Sequence, residues 1–249
     1  MCCKDRVAVV TGGMGGIGSA VCLRLANEGA KVVATCHPSE VDRIDAWVGD
    51  MKSKGAETAV IAGDVSTPEG GEALMGAIVE KFGVVDILVN CAGITRDSTM
   101  KKMSVDQWDA VIDTNLSSAF YVTSPVWNSM VERGFGRVIN ISSVNGQRGQ
   151  FGQVNYSAAK AGLHGFTMAL AYEGAAKGVT INTVSPGYIE TAMTEAMRDD
   201  VRDAIVSGIP MRRMGQPEEI AHAVAFLADE GSTYITGANL PVNGGLFIH

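Results

Sequence analysis

The sequence predicts one α/β domain built on a doubly wound parallel sheet of the Rossmann type, with about seven strands and helices on both faces. Three observations carry this prediction. Short Val/Ile/Leu-rich runs alternate with longer segments of helical period along the 249 residues. Several of the short runs are continuously apolar instead of alternating, as strands covered on both faces must be. No Pro/Gly/Ser-rich linker, repeat or low-complexity stretch divides the chain, and its length is within the about 250–300 residues that one core supports.

The first strand is expected over 6–12, where it runs straight into Thr11-Gly-Gly-Met-Gly-Gly-Ile-Gly18 and a helix over 17–27. The second strand, 31–36, leads to a helix over 41–54; strand 58–65 leads to helix 69–82. Strand 86–93 precedes a long helical segment over 105–132, and strand 137–143 precedes helix 155–177. Strand 179–186, helix 218–228 and strand 239–243 complete the series. Parallel neighbours need a crossover, usually a helix, so this alternation places helices on both sides of one sheet. The segment 187–214 interrupts the rhythm and carries Met193, Met197, Met211 and Met214. Methionine adapts to irregular apolar space, so a mobile substrate lid is expected there, an ordinary helical insertion being the alternative.

Composition excludes several classes. With 46% hydrophobic and 19% charged residues the chain is not disordered, and its 30 glycines lack a collagen triplet. A net charge of −7 argues against nucleic-acid binding, which needs a basic face, but leaves room for a phosphorylated ligand held locally. No apolar run approaches the roughly 18 residues of a membrane span. The opening Met-Cys-Cys-Lys-Asp-Arg-Val-Ala-Val-Val enters a strand at once, which leaves no room for a signal peptide and leads us to expect a cytoplasmic protein. Cys2, Cys3, Cys22, Cys36 and Cys91 have no metal-site spacing, and His37, His164, His222 and His249 do not cluster with them. Reduced thiols and no metal are expected.

The glycine-rich turn points to a dinucleotide. Glycines permit positive φ and close backbone approach, and the helix N-terminus offers unpaired N–H groups to a pyrophosphate. Alone the pattern is only a tight strand–helix turn; its place at the first β-to-α connection gives it meaning. Gly12, Met14, Gly16, Ile17 and Gly18 are therefore expected at the cofactor. The second strand ends Ala34-Thr-Cys-His37 with no acid before Glu40. An acid there would bind the ribose diol and repel a 2′-phosphate. Its absence favours NADPH, held by Thr35, His37 or Arg43, with NADH not excluded.

Tyr156-Ser-Ala-Ala-Lys160 puts a phenol and an ammonium on one helix face. Such a pair is ordinarily amphipathic surface. A phenol near pKa ~10 is a poor acid–base group at neutral pH, and an adjacent ammonium favours its anion. Ser143 closes the strand over 137–143, on the carboxyl edge where open α/β sheets bind ligands, and its hydroxyl can donate to a carbonyl. Asn115 lies inside the 105–132 segment, where a buried amide can hold a water against Lys160.

With these residues in view, the chain resembles the short-chain dehydrogenase/reductase family over its whole length. The resemblance rests on residues 11–18, Asp64-Val65, Asn90-Cys-Ala-Gly93, Asn115, Ser143, Tyr156-x-x-x-Lys160 and Pro186-Gly187. It implies that Tyr156 donates a proton, Ser143 orients the carbonyl, Lys160 lowers the tyrosine pKa and holds the nicotinamide ribose, and Asn115 keeps a relay water. It further implies cofactor contacts from Asp64, Val65, Asn90, Ala92, Gly93, Pro186, Gly187, Ile189 and Thr191. Cys91 stands where the family often has a second Asn, and backbone contact through Ala92-Gly93 should survive. The family also implies a homotetramer built partly on the helices carrying Asn115 and Tyr156.

Residues 140–156, Gly93-Ile-Thr-Arg-Asp97, 161–170 and Val184-Ser-Pro-Gly-Tyr188 look like the acetoacetyl-CoA reductases within that family. That likeness implies NADPH-dependent reduction of an acyl-CoA, acetoacetyl-CoA, to the (R)-3-hydroxy product for polyhydroxyalkanoate synthesis. Gln150, Gln153 and Tyr188 would surround the acetoacetyl group and Asp97 would help close the site, although Gln150 and Gln153 also read as a solvated loop. Arg96, Lys101, Lys102 and Arg148 flank this mouth as CoA-phosphate partners or as a solvated face. A 3-oxoacyl-(acyl-carrier-protein) reductase is the alternative, with Arg133 and Lys177 as helix-end docking candidates. A non-catalytic dinucleotide sensor is the remote one.

Overall fold

The computed structural model describes residues 3–191, 194 and 197–248. Cys2, Met193 and His249 lie outside the described residues. Seven strands form one all-parallel sheet: β1 Val7–Val10, β2 Lys31–Cys36, β3 Thr58–Ala62, β4 Ile87–Asn90, β5 Gly136–Ile141, β6 Val179–Pro186 and β7 Asn239–Val242. Their spatial order is β3-β2-β1-β4-β5-β6-β7. The chain winds outward from β1 to β3, then returns to the centre and winds outward the other way. The reversal falls between β1 and β4, paired Ala8 to Ile87 through Val10 to Val89.

The crossovers supply helices α1 Gly16–Asn27, α2 Ile44–Ser53, α3 Pro68–Phe82, α4 Val105–Ile112, α5 Ser118–Arg133, α6 Asn145–Arg148, α7 Val154–Gly174, α8 Asp199–Gly208 and α9 Pro217–Ala228. Successive strand residues point to opposite faces, so each apolar strand feeds two cores. Ala8 and Val10 join Val21, Leu25, Ile220 and Val224 on the face covered by α1 and α9. Val9, Val33 and Leu88 join Leu74, Ile78, Val122 and Met130 on the face covered by α3 and α5. This two-faced burial is why the strands read as continuous apolar runs.

The expected elements are present with trimmed ends. Helix 41–54 is a 3-10 turn, Pro38–Arg43, followed by α2: His37 caps the turn, its ring accepting from the Ser39 N–H, and Pro38 sits in the first turn. The single segment 105–132 is interrupted by a π-helical turn, Asp113–Ser117, between α4 and α5. Within 187–214 the chain forms α8, which buries no side chain, while Ile209 and Met214 are buried. That segment is pinned by an Ile189–Gly215 bridge and by the Met211 N–H to the Gly244 carbonyl. Among the described residues no helix is long and apolar enough to cross a membrane, and no group of three His, Cys, Asp or Glu could hold a metal.

Candidate active site

A cavity of about 890 Å³ runs along the carboxyl edge of the sheet across the β1/β4 reversal. One end is made by the glycine turn. Gly12 holds φ +62°, and a Cβ on it would come within 2.9 Å of the Ala92 Cα. A Cβ on Gly16 would meet the Thr191 methyl, and one on Gly18 would overlap the Gly12 carbonyl oxygen. Glycine at these positions lets the turn close and leaves its rim bare. Helix α1 starts at that rim with no side-chain cap and no acid in its first turn. Unanswered N–H groups and the positive end of the helix dipole therefore face the cavity, as a pyrophosphate requires. The site fits a dinucleotide.

Beyond the turn, Thr35, His37, Ser39 and Glu40 line one arm and Asp64 and Val65 its floor. Asp64 accepts from the Ser66 N–H and hydroxyl at 2.9 and 2.7 Å, bonds that hold its carboxyl below the usual range. The acid in this arm that sequence reasoning dismisses, Glu40, is doubly engaged: its carboxylate accepts from the His37 N–H and from Arg43 at 2.7 Å. Arg43 is thus corrected as a cofactor residue. It is tied to Glu40 and does not line the cavity.

At the opposite arm Ser143, Tyr156 and Lys160 converge. Ser143 follows β5, and its Oγ accepts from the Asn145 N–H at 3.1 Å, leaving its own proton free to donate. The Tyr156 hydroxyl hydrogen-bonds the Ser143 side chain. One helical turn on, Lys160 is buried with its Nζ donating to the Ile141 carbonyl at 2.8 Å and 5.7 Å from the Tyr156 ring centre. Burial pushes the Lys160 ammonium down to about 8. Burial pushes Tyr156 up, with Ser143 pulling the other way and the charge of Asp97 adding to the rise. Desolvation of the phenol is the largest of these influences, so Tyr156 sits above its ordinary value.

The Asn115 side chain is engaged at both ends. Its Oδ1 accepts from the Ile94 N–H at 2.8 Å and its Nδ2 donates to the Ile94 carbonyl at 2.9 Å. These bonds fix the loop after β4 and use one of the two hydrogen-bonding positions at each end of the amide. Asn115 lies in the π-helical turn, and a Cβ on Gly93 would stand 3.5 Å from both Asn115 Oδ1 and Lys160 Nζ.

Ala92, Gly93, Pro186, Gly187, Tyr188, Ile189 and Thr191 line the cavity, as do Gly12, Gly16, Ile17 and Gly18. Three other expectations are corrected. Met14 is buried beneath the glycine turn and does not line the cavity. Asn90 is buried within the sheet, its Nδ2 donating to Asn140 Oδ1 at 2.8 Å. Gln150 is exposed on the loop before α7, outside the cavity. Asp97 is exposed and does not itself line the cavity; it accepts from Nε2 of Gln153, which does, at 2.8 Å, and Gln153 Oε1 in turn accepts from Asn145 Nδ2 at 3.0 Å. Sequence reasoning does not single out Asn145 or Thr194, which also line the cavity, as does Met197 from the expected lid segment. For Asn145 the signal is its place two residues beyond Ser143, where the strand turns into a helix.

An all-parallel sheet whose reversal point opens on a long cavity, helix N-terminus at one end and hydroxyl–phenol–ammonium set at the other, defines a dinucleotide-binding α/β oxidoreductase. Comparison with known proteins makes this specific. The chain belongs to the short-chain dehydrogenase/reductase family, and the family described as enoyl-(acyl carrier protein) reductase matches residues 12–247. It is 64% identical over 244 residues to the acetoacetyl-CoA reductase of Allochromatium vinosum, covering 98% of this chain and 99% of that one. It is 55% identical over 242 residues to the acetoacetyl-CoA reductase of Cupriavidus necator, at 97% and 98% coverage. Over 246 residues it is 47% identical to the 3-oxoacyl-[acyl-carrier-protein] reductase FabG of Vibrio cholerae, covering 98% of each.

Proposed function

We propose that this protein reduces acetoacetyl-CoA to (R)-3-hydroxybutyryl-CoA with NADPH, as a cytoplasmic homotetramer supplying monomer for polyhydroxyalkanoate synthesis. The observation that carries the reading is the meeting of Ser143, Tyr156 and Lys160 in the cavity that begins at the glycine turn. The relatives named acetoacetyl-CoA reductase support the choice of substrate.

When bound, the nicotinamide supplies the hydride. The chain's own residues do the rest. Ser143 donates to the 3-keto oxygen and holds it beside the Tyr156 hydroxyl, which delivers the proton. Burial keeps the phenol protonated at neutral pH, the form a reductase needs. The Lys160 ammonium then stabilises the phenolate left behind. Asp97, Gln153 and Tyr188 bound the acyl end, and closure of 187–214 over them excludes water. NADPH is favoured because Thr35, His37 and Ser39 line the adenosine arm and Glu40 there is already neutralised by Arg43.

The carrier-protein alternative is weaker on one observation. Arg133 donates to Asp86 and to the Val85 carbonyl, at the amino edge of the sheet, opposite the cavity. Initial rates with acetoacetyl-CoA, NADPH and NADH in parallel test the proposal. Fast oxidation of NADPH alone is expected. Equal rates with NADH would overturn the cofactor assignment, and no oxidation of either would overturn the function.

A further inference from the structure

Asn155, the residue before Tyr156, is fully buried, and its carboxamide joins three parts of the chain. Its Oδ1 accepts from the Tyr156 N–H at 2.8 Å, while its Nδ2 donates to the Arg96 carbonyl at 3.1 Å and to the Gln107 carbonyl at 3.0 Å. Both N–H bonds of the amide are therefore spent on the segment after β4, one at Arg96 on the cavity wall and one where that segment has become α4. The third bond answers an N–H in the first turn of α7, a helix that starts at Val154 with no side-chain cap from Gln153. One turn later α7 is held to β5: Ser142 Oγ donates to the Lys160 carbonyl at 2.7 Å, and Lys160 Nζ to the Ile141 carbonyl. Tyr156 thus sits between two mounts, one on the sheet and one on the loop after β4. Asn115 holds the same loop closer to its start, at Ile94.

We propose that Asn155 is a positioning residue for the proton transfer: its amide fixes the first turn of α7 against the loop after β4 and so sets where the Tyr156 hydroxyl stands relative to a carbonyl held at Ser143. The inference rests on the reductase reading above, with Tyr156 as its acid. A general acid works only within hydrogen-bond reach of the oxygen it protonates, and a displacement of about 1 Å costs about 10²-fold in rate. The Tyr156 hydroxyl does touch the Ser143 side chain, but a phenol follows the helix turn that carries it. That turn is seated by Asn155. A buried amide with its oxygen and both N–H bonds engaged has a single orientation, so the seat is rigid. The dinucleotide has separate supports. Asn115 pins Ile94, and the glycine turn with the start of α1 lies at the far end of the cavity. Loss of the Asn155 amide therefore releases the acid and leaves the cofactor its site.

The test counts turnover per bound dinucleotide. NADPH is titrated by fluorescence to give its Kd and the number of sites, and kcat for acetoacetyl-CoA is divided by that number. Asn155→Ala removes the whole tie; Asn155→Asp keeps an acceptor for the Tyr156 N–H and removes both donors to the loop. In both variants we expect native stoichiometry, a Kd for NADPH close to native, and kcat per site lowered by about 10²-fold. In a Tyr156→Phe background the same substitutions should change the residual kcat by less than about twofold, because a residue acting through the hydroxyl then has nothing left to position. Native kcat per site in the two variants would overturn the proposal. So would an equal loss with and without the Tyr156 hydroxyl, or disappearance of the NADPH sites themselves in both variants, since either would make Asn155 a residue of the fold alone. A native enzyme that oxidises no NADPH with acetoacetyl-CoA is a different failure: it removes the reductase reading before any variant is made, and the task of Asn155 with it.

Discussion

Tyr156 and Lys160 illustrate how one environment sets two protonation states. The same burial that keeps the phenol protonated drives the ammonium down to about 8, because desolvation disfavours whichever form is charged. Tyr156→Phe removes only the hydroxyl. The variant should fold, bind NADPH as judged by fluorescence titration, and lose roughly 10²–10⁴-fold in kcat, the usual range for a general acid. Retained turnover would overturn the mechanism. Lys160 carries a stability consequence of definite sign. The unfolded chain keeps this proton to its ordinary value of 10.5, while the folded chain releases it near 8. Between those values the unfolded state binds more protons, so stability rises with pH across that window; below 8 the burial penalty is fully present. Lys160→Met should therefore raise stability at pH 7 by about 1–3 kcal/mol, the gain being reduced by the lost bond to the Ile141 carbonyl. Activity should fall together with that gain, and in the native enzyme reduction should decline as pH rises through about 8. A lower melting temperature in Lys160→Met would mean that the bond to Ile141 outweighs the burial cost.

At the scale of elements, the glycine turn and the helix after it separate space from conformation. A Cβ at Gly18 would overlap the Gly12 carbonyl oxygen, which is backbone and cannot swing aside. Gly18→Ala should cost about 1–3 kcal/mol as an overpacked site and weaken dinucleotide binding by displacing the turn. On the exposed side of α3, a Cβ added at Gly76 would meet nothing within 4 Å, so Gly76→Ala should stabilise by about 0.5–1 kcal/mol. Thermal melts of the two variants with and without NADPH read both effects; equal shifts would refute the steric account. The same scale explains what was legible beforehand. Strands such as Lys31–Cys36 and Val179–Pro186 match the sequence reading end to end, because burial on both faces writes itself as unbroken apolar runs. The meeting of Ser143, Tyr156 and Lys160 is legible because their spacing, at the end of one strand and along one helix, is local. Three things are not. The π-helical turn at Asp113–Ser117 depends on hydrogen bonding that no periodicity encodes. The engagement of Arg43 by Glu40, and of Asn115 by Ile94, is a competition between partners settled only in three dimensions. The inward turn of Met14 and the outward turn of Gln150 follow from backbone direction in a turn and a loop, which residue type alone does not give.

For the whole molecule, the parallel sheet divides labour between its two edges. The carboxyl edge holds the cavity, where glycines, a bare helix N-terminus and buried titratable groups all sit at some cost to stability. The amino edge holds the opposite kind of arrangement. Asp86, nearly fully buried, accepts from the Val7 N–H at 3.0 Å and from Arg133 at 2.6 Å, with Arg6 3.6 Å away. Arg6 reaches on to Glu230 and lies 3.7 Å from the Phe135 ring centre, which Arg137 approaches at 4.5 Å. Arg137 is buried, donating to the carbonyls of Gly136 and Gly178. One carboxylate thus ties the start of β1 to the end of α5 and to the cluster beneath β5. Asp86→Ala leaves the buried Val7 N–H without its acceptor and the partly exposed Arg133 guanidinium without its carboxylate, a loss of about 2–3 kcal/mol. For a chain of this size that lowers the melting temperature by roughly 5–10 °C, at about 2–4 °C per kcal/mol. Because the cavity lies at the other edge of a rigid sheet, kcat/KM measured well below the transition should stay within about twofold of native, as expected for distant, independent sites. Ser143→Ala should do the reverse: a melting temperature close to native and a loss of about 10²–10³-fold in kcat/KM, as for removal of one preorganised donor. Paired melts and initial rates on these two variants decide the matter. If Asp86→Ala instead lost activity at temperatures where it remains folded, the two edges would be coupled through the strands, and the separation of stability from chemistry would not hold.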